Sequence, residues 1–356
     1  MEPVTHFLFG AAMGRAGLNR KTALATATLT LAAEAPDLDI LSRFGGSAFG
    51  LNHHRGFTHS FLGIPLVAAA VVGFIYLLWR LRGRKTSDPN LPPRWGWLFA
   101  FACLASLSHI LLDFTNNYGV RPFWPFSERW YSWDIVFIFE PVIFAILLLG
   151  LILPGLFSLI NEEIGARSKS GRAEPAGRLA ATLAILGVCA CWGVRDYEHR
   201  RAVATLESRN YDGVDPIRAS AYPYWANPFR WHGVVETPAF FATMNVDSLE
   251  PEVDPEVQMQ IHYKPDETPV TLAAKKTYLG RAYLSWAQYP ITETEELQND
   301  PIENSRAAYL VRFRDLRYNY PGSSAGATLG ATVLLTRDLQ VVEERFGTRS
   351  AGPGAK

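Results

Sequence analysis

Four segments of the chain are apolar for long enough to cross a membrane. Ser60–Trp79 holds no charged residue, and its run FLGIPLVAAAVVGFIYLLW would cover a hydrocarbon core of about 30 Å as a helix. Trp95–Thr115, Ile135–Phe157 and Leu179–Val194 read the same way, the last being the shortest. Two shorter apolar stretches come first, Val4–Gly14 and Lys21–Ala35, joined by the turn at 15–20. Each is marginal for a full span. Together they predict a tilted or half-inserted pair packed on the longer helices, since irregular backbone at membrane depth must be covered by protein.

Beyond Arg195 charges recur every few residues and the pattern changes to alternation. Tyr309–Arg314 and Ala331–Leu335 alternate as strands do, with a turn at Thr336-Arg337-Asp338 before Leu339–Glu343. Trp231–Glu236, Phe240–Val246 and Val257–Tyr263 are further strand candidates, and Val270–Gly280 reads as a short helix. The expected architecture is an α-helical membrane domain over residues 1–195, with four long transmembrane helices plus a short N-terminal helix pair. A mainly β soluble domain follows over 196–348, and 349–356 is expected to be a disordered tail.

Charge adds orientation. Lys and Arg total 34 and Asp and Glu total 34, so no net field favours nucleic acid, and none is expected as a partner. Basic residues cluster in two loops, Arg80, Arg82, Arg84, Lys85 and Arg94 in one and Arg167, Lys169, Arg172 and Arg178 in the other. Both should face the cytoplasm. The loops 40–60 and 116–134, and the domain after Arg195, then lie outside the cell membrane. Cys103, Cys189 and Cys191 fall inside apolar helices, where packing explains them. Arg20–Ala35 imitates a signal peptide, but cleavage there would discard the apolar stretch before it and His6, so we expect it to be retained.

The ionisable residues within these apolar surroundings carry the chemistry. In Ser106–Asp113, His109 and Asp113 stand four apart and share a helix face. A carboxylate at a membrane-helix centre costs roughly 2.5–3.5 kcal/mol, so Asp113 needs a partner or a task. His53-His54-Arg55-Gly56-Phe57-Thr58-His59-Ser60 lies just before the first long helix, on the same expected side, with three imidazoles and a turn-permitting glycine. In Ala35-Pro36-Asp37-Leu38-Asp39 the proline ends the preceding helix, leaving two carboxylates at its mouth. Each can ligate a metal, or one can ligate while the other orients a histidine; an Asx-type turn is the bland alternative. His6 falls on the same side if the short helices run as a pair. Glu34, Asp134 and Glu140 are weaker candidates, Glu140 first as a hydrogen-bond partner and second as a ligand. His199, His232 and His262 show no ligand spacing and read as surface or core residues.

Taken in order, Thr5-His6-Phe7, Pro36-Asp37-Leu38-Asp39, His54-Arg55-Gly56-Phe57-Thr58-His59-Ser60 and His109 with Asp113 make residues 1–160 resemble the LexA-regulated, inner-membrane-bound metal-dependent hydrolases called YdjM-like. That family is distantly similar to zinc-dependent phospholipases C and single-strand nucleases. The resemblance implies ligation of a divalent metal, most readily zinc, by His6, Asp37 or Asp39, His54, His59, His109 and Asp113. A single His-x-x-x-Asp helix is present where those enzymes carry two.

The expectation is a multi-pass inner-membrane hydrolase acting on a phosphoester of an amphiphilic substrate through metal-activated water. His59, Asp39 and Arg55 are its catalytic candidates, with Arg55 and Arg121 able to hold a phosphate oxygen. Membrane lipids and the amphiphilic substrate are its expected partners, and a protein partner of the β domain is left open. The rival is a non-catalytic membrane protein with a structural metal or His–Asp cluster and a partner-binding β domain; a transporter fits less well, since no internal repeat with broken helices is seen.

Overall fold

The computed structural model describes residues 1–86, 88–163, 173–250, 259–297, 307–320 and 329–347. The expected disordered tail and the basic residues at 167, 169 and 172 lie outside them. The chain forms two compact units. The first comprises Met1–Asp39, Arg55–Glu198 and Pro223–Pro228; the second comprises Ile40–His54, His199–Tyr222 and the chain from Phe229.

The first unit is helical. In α1 (Pro3–Arg15) the proline sits where no amide partner is needed, and the Glu2 carboxylate accepts from the Thr5 amide. A β-carbon on Gly10 would stand 2.7 Å from the Leu29 carbonyl of α2 (Ala25–Glu34), and one on Gly14 2.8 Å from the Thr26 hydroxyl. Small residues thus let α1 and α2 approach backbone to backbone, as in lipid-embedded helix pairs. α5 (Trp95–Thr115) is the enclosed helix, burying Phe101, Ala105, His109 and Asp113 among others, whereas α4 (Gly63–Leu81) exposes Leu66, Phe74 and Leu77.

α4, α5, α6 (Pro141–Glu163) and α7 (Ala173–Glu207) run up and down. Arg15 donates to the Leu151 carbonyl and Arg178 packs beside Gly17, so the middle of α6 and the first part of α7 lie with the end of α1 and the turn after it. Arg195 returns to Glu140 just before α6, with Nη2 2.6 Å from the carboxylate.

Among the described residues three of these helices, Gly63–Leu81, Trp95–Thr115 and Gly177–Glu207, are long and apolar enough to span; a fourth is not confirmed. The helix expected at Ile135–Phe157 begins later, at Pro141. Trp133 donates to the Phe114 carbonyl while Ile135 and Val136 both donate to Thr115, and this holds the chain extended until Pro141. The last helix errs the other way, running past Arg195 to Glu207.

The second unit holds two four-stranded sheets, ordered β1-β2-β3-β4 and β5-β6-β7-β8. The strands are Arg218–Pro223, Arg230–Glu236, Phe240–Asp247, Gln260–Tyr263, Pro290–Glu296, Tyr309–Asp315, Ala331–Leu335 and Val341–Phe346. Of these, β1 and β5 were not anticipated. The expected helix at 270–280 is two, α8 (Pro269–Lys276) and α9 (Tyr278–Trp286), broken at Thr277, whose hydroxyl caps the second. A third helix, α3 (Ser47–His53), was also missed.

His232 of β2 is buried, and its Nε2 donates to the Leu316 carbonyl at 2.8 Å. Burial lowers its pKa to about 4. Between that value and the unfolded pKa of about 6.5 only the unfolded chain takes up the proton, so the stability present above pH 6.5 is lost as pH falls. Full loss amounts to about 3 kcal/mol. The urea midpoint of this unit, followed by emission of buried Trp231 and Trp286, should fall between pH 7 and pH 4.5, and His232→Gln should flatten that dependence.

Candidate metal centre

Four side chains from three segments converge where α5 ends and α4 begins. They are Asp37 after α2, His59 before α4, and His109 and Asp113 one turn apart on α5. His59 Nε2 lies 3.0 Å from His109 Nε2, 3.5 Å from Asp37 Oδ1 and 3.4 Å from Asp113 Oδ2. His109 Nε2 lies 3.5 Å from each of the same two oxygens.

These nitrogens are lone-pair bearers. His109 Nδ1 donates to the Ala33 carbonyl at 2.6 Å, which has no proton to give and so fixes the tautomer. His59 Nδ1 faces Asp39 Oδ2 at 3.2 Å, an oxygen that also accepts from the Arg55 amide at 2.7 Å and the Thr58 hydroxyl at 3.2 Å. Two lone pairs and two carboxylate oxygens repel one another unless a cation lies between them. A tetrahedral ion with bonds of about 2.0–2.1 Å has ligand-to-ligand edges of about 3.4 Å. The five distances above match that figure to within a few tenths of an ångström, so the residues fit a zinc-like ion.

The surroundings hold the four in place. Arg55 sits in the left-handed region at φ 51°, and its buried guanidinium donates to Asp113 Oδ1 at 2.9 Å and to the Gly119 carbonyl at 2.8 Å. Its carbon lies 4.7 Å over the Tyr118 ring. That leaves Asp113 Oδ2, buried and without a hydrogen-bond partner, aimed at the two histidines. A β-carbon on Gly63 would stand 1.9 Å from the Phe57 carbonyl, so only glycine lets α4 begin so close to the turn bearing His59. Glu34, half-buried with Asp37 nearby, is pushed up to about 7, chiefly by burial.

The other sequence candidates take distinct places. His6 is buried and stacked on His109 with ring centroids 3.8 Å apart, and its Nε2 is 3.4 Å from Asp113 Oδ1. The Met1 amino group also contacts that oxygen. Asp39 stands behind His59 instead of facing the centre. His54 falls in the second unit, at the end of α3, and is not one of the four. Arg121 is buried, its guanidinium 4.7 Å over Trp130. Glu140 is paired with Arg195, away from the cluster. His232 is a core residue, while His199 packs beside Trp231 and His262 beside Thr243. Sequence reading missed the Ala33 carbonyl and the Thr58 hydroxyl, because backbone and hydroxyl partners leave no signature at the level of residue type.

If Asp39 orients His59, Asp39→Asn should weaken zinc binding by about 10–100-fold while leaving the fold intact. Competition against a chromophoric chelator measures it, and an unchanged affinity would remove Asp39 from the centre.

No solved structure matches the chain. The chain is similar to a Bacillus subtilis (strain 168) protein, the uncharacterized YfhP, at 28% identity over 152 residues. That alignment covers 40% of this chain and 43% of YfhP, less than half of either. The model of the YdjM inner membrane protein family matches residues 1–200, which take in all the spans but the end of α7 and all four converging side chains. This chain belongs to the YdjM inner membrane protein family.

Proposed function

We propose that this protein is a membrane-embedded, metal-dependent hydrolase acting on a phosphoester of an amphiphilic substrate. The observation that carries the reading is the convergence of His59 Nε2, His109 Nε2, Asp37 Oδ1 and Asp113 Oδ2, with five of their six separations near a tetrahedral edge length. A bound ion of the zinc class supplies a water of pKa near 7 and polarises a phosphoryl oxygen. Asp37 is the one ligand not fully buried, so substrate and water reach the centre past its carboxylate. Arg55 holds Asp113, and Asp39 holds His59. Arg55 binds phosphate only by giving up Asp113, so positioning is its first role.

An apolar rim supports an amphiphilic substrate. Leu38, Phe57, Phe61, Leu62, Phe123 and Phe126 are exposed, Phe126 at 86%, and all neighbour the site residues or the loop tied to them. The Phe61 amide donates to the Pro122 carbonyl, and the Phe61 and Phe123 rings lie 5.5 Å apart. An acyl chain against these rings places an ester headgroup at the polar centre.

The proposed orientation puts the site end outside the cytoplasm; Arg15, Arg20, Lys21, Arg80, Arg82, Arg84, Lys85 and Arg94 at the opposite end support it. α7 then delivers the β unit to the outer side. Single cysteines in a cysteine-free background test this: Glu250→Cys should react with an impermeant reagent in intact cells and Arg84→Cys should not. The reverse pattern refutes the orientation.

Four protein ligands also suit a closed structural site, and this favours a second reading in which the ion merely ties the helices together. Turnover decides between them. Zinc-loaded protein should hydrolyse phosphodiester lipids in mixed micelles, losing activity to a chelator and regaining it with added zinc. Metal-loaded protein with no turnover above the His59→Ala background would leave the structural reading standing.

A further inference from the structure

Asp113 turns Oδ2 towards the two histidines, and its other oxygen is held by a closed set of polar groups. Arg55 Nη2 donates to Oδ1 at 2.9 Å, and Asn116 Nδ2 donates to the same oxygen at 3.3 Å. Arg55 Nη1 in turn donates to Asn116 Oδ1 at 3.4 Å, so the three side chains form a ring. All three are buried. The Met1 amino group also contacts Oδ1.

The ring follows from how α5 ends. Asn116 stops the helix in extended backbone, and its side-chain oxygen accepts from the Tyr118 amide at 2.8 Å, the local turn that asparagine favours. Gly119 follows at φ 86°, where a β-carbon would stand 3.0 Å from the Tyr131 carbonyl. The Gly119 carbonyl accepts from Arg55 Nη1 at 2.8 Å, which ties the turn to the ring. Val120 and Tyr131 then exchange backbone hydrogen bonds at 2.8 and 2.9 Å and fix the turn from behind. All of these residues lie within the first unit.

We propose that Arg55 and Asn116 confine Asp113 to ligation through one oxygen, and so make the centre selective for a four-coordinate ion of the zinc class over oxygen-seeking ions such as Mn²⁺. This rests on the metal reading of the site. An oxygen that already accepts two or more hydrogen bonds, one of them from a guanidinium, has no lone pair left for an ion. The centre then offers two nitrogens and two oxygens, a set that suits tetrahedral zinc. Ions of the Mn²⁺ and Ca²⁺ kind seek about six or more ligands, mostly oxygen, and a carboxylate can serve them through both its oxygens. Freeing Oδ1 raises the coordination number that Asp113 supports and moves the preference towards those ions. Arg55 and Asn116 are positioning residues, acting on the ion through Asp113. Loss of the Arg55 charge raises the affinity for every divalent ion alike, so the ratio of zinc to manganese affinity isolates the effect of the ring.

Chelator competition on the full-length, detergent-purified protein gives the zinc and manganese affinities. The d–d spectrum of the Co²⁺-substituted protein, intense for a four-coordinate ion and weak for a five- or six-coordinate one, reports the coordination number. Arg55→Met keeps a stem over the Tyr118 ring and removes both guanidinium donors. It should lower the zinc-to-manganese ratio about tenfold or more and weaken the cobalt absorption. Asn116→Ala, which removes one donor to Oδ1, keeps the test open if Arg55→Met misfolds; it should lower the ratio about two- to fivefold. A merely structural role would change both affinities in proportion and leave the cobalt spectrum intact, and that result overturns the proposal. Two ions per wild-type chain with Oδ1 bridging them overturn it as well. Wild-type protein that binds no divalent ion refutes the metal reading itself. Protein that shows the change in ratio yet turns over no ester keeps the inference and refutes the hydrolase reading; ester turnover with an unchanged ratio does the reverse.

Discussion

Replacing His59 by alanine is expected to weaken zinc binding about a thousandfold or more, and with it to end any hydrolysis. His59 Nε2 contributes to three of the five measured edges of the ligand set, and Asp39, Thr58 and the Arg55 amide are arranged to present it. Removing it leaves His109, Asp37 and Asp113 around a hole on one side, and a three-ligand site retains its ion far less firmly. The protein should still fold, since the void lies at the end of the helical layer and the hydrogen bond from the Arg55 amide to Asp39 survives. His262→Ala, on an edge strand of the second unit, should keep its full metal complement. Elemental analysis of both variants after dialysis checks this. Equal zinc in both would remove His59 from the ligand set.

The second large effect concerns stability. Arg195→Ala should cost about 3–5 kcal/mol, because it leaves the Glu140 carboxylate buried and unpaired. The two side chains are almost wholly inaccessible and join the start of α6 to the far half of α7. Arg195 also donates to the Ile135 carbonyl at 3.4 Å, in the stretch held extended before α6. Glu140→Gln should cost less, since the neutral amide still accepts from Arg195. An Arg195→Met, Glu140→Leu double variant should recover most of the loss, because matched apolar side chains avoid the desolvation that both charges suffer. Unfolding of the four proteins in mixed micelles gives the comparison; equal losses in single and double variants would mean that the pair is not coupled.

Much of the helical layer was legible. A charge-free run makes α4 unmistakable, and the spacing of His109 and Asp113 in an apolar helix announces a shared face. Long-range hydrogen bonding hid the rest. Ile135–Glu140 is apolar enough to extend a helix, yet the Ile135 and Val136 amides are claimed by the Thr115 carbonyl at the end of α5. Arg195 looked like the start of a polar tail because its partner lies in a distant segment. His54 and His59 seemed equivalent in one histidine-rich loop, but the left-handed Arg55 and the turn at Gly56 send them into different units. Asp37 and Asp39 differ for the same reason, since two steps along a tight turn put one carboxylate before His59 and the other behind it. The β5 strand, PITETEE, carries acids on an exposed face and resembles a loop in isolation; Arg312 and Arg314 of β6 pair with its glutamates.

The central claim is that Asp37, His59, His109 and Asp113 form one metal centre, and X-ray absorption at the zinc edge of the purified full-length protein tests it most directly. The account predicts about one ion per chain, bound by two imidazole nitrogens and carboxylate or water oxygens at about 2.0–2.1 Å, with no sulfur in the shell. Metal-free protein that is folded in detergent and takes up no zinc, or an ion whose spectrum is unchanged by His109→Ala, would contradict it.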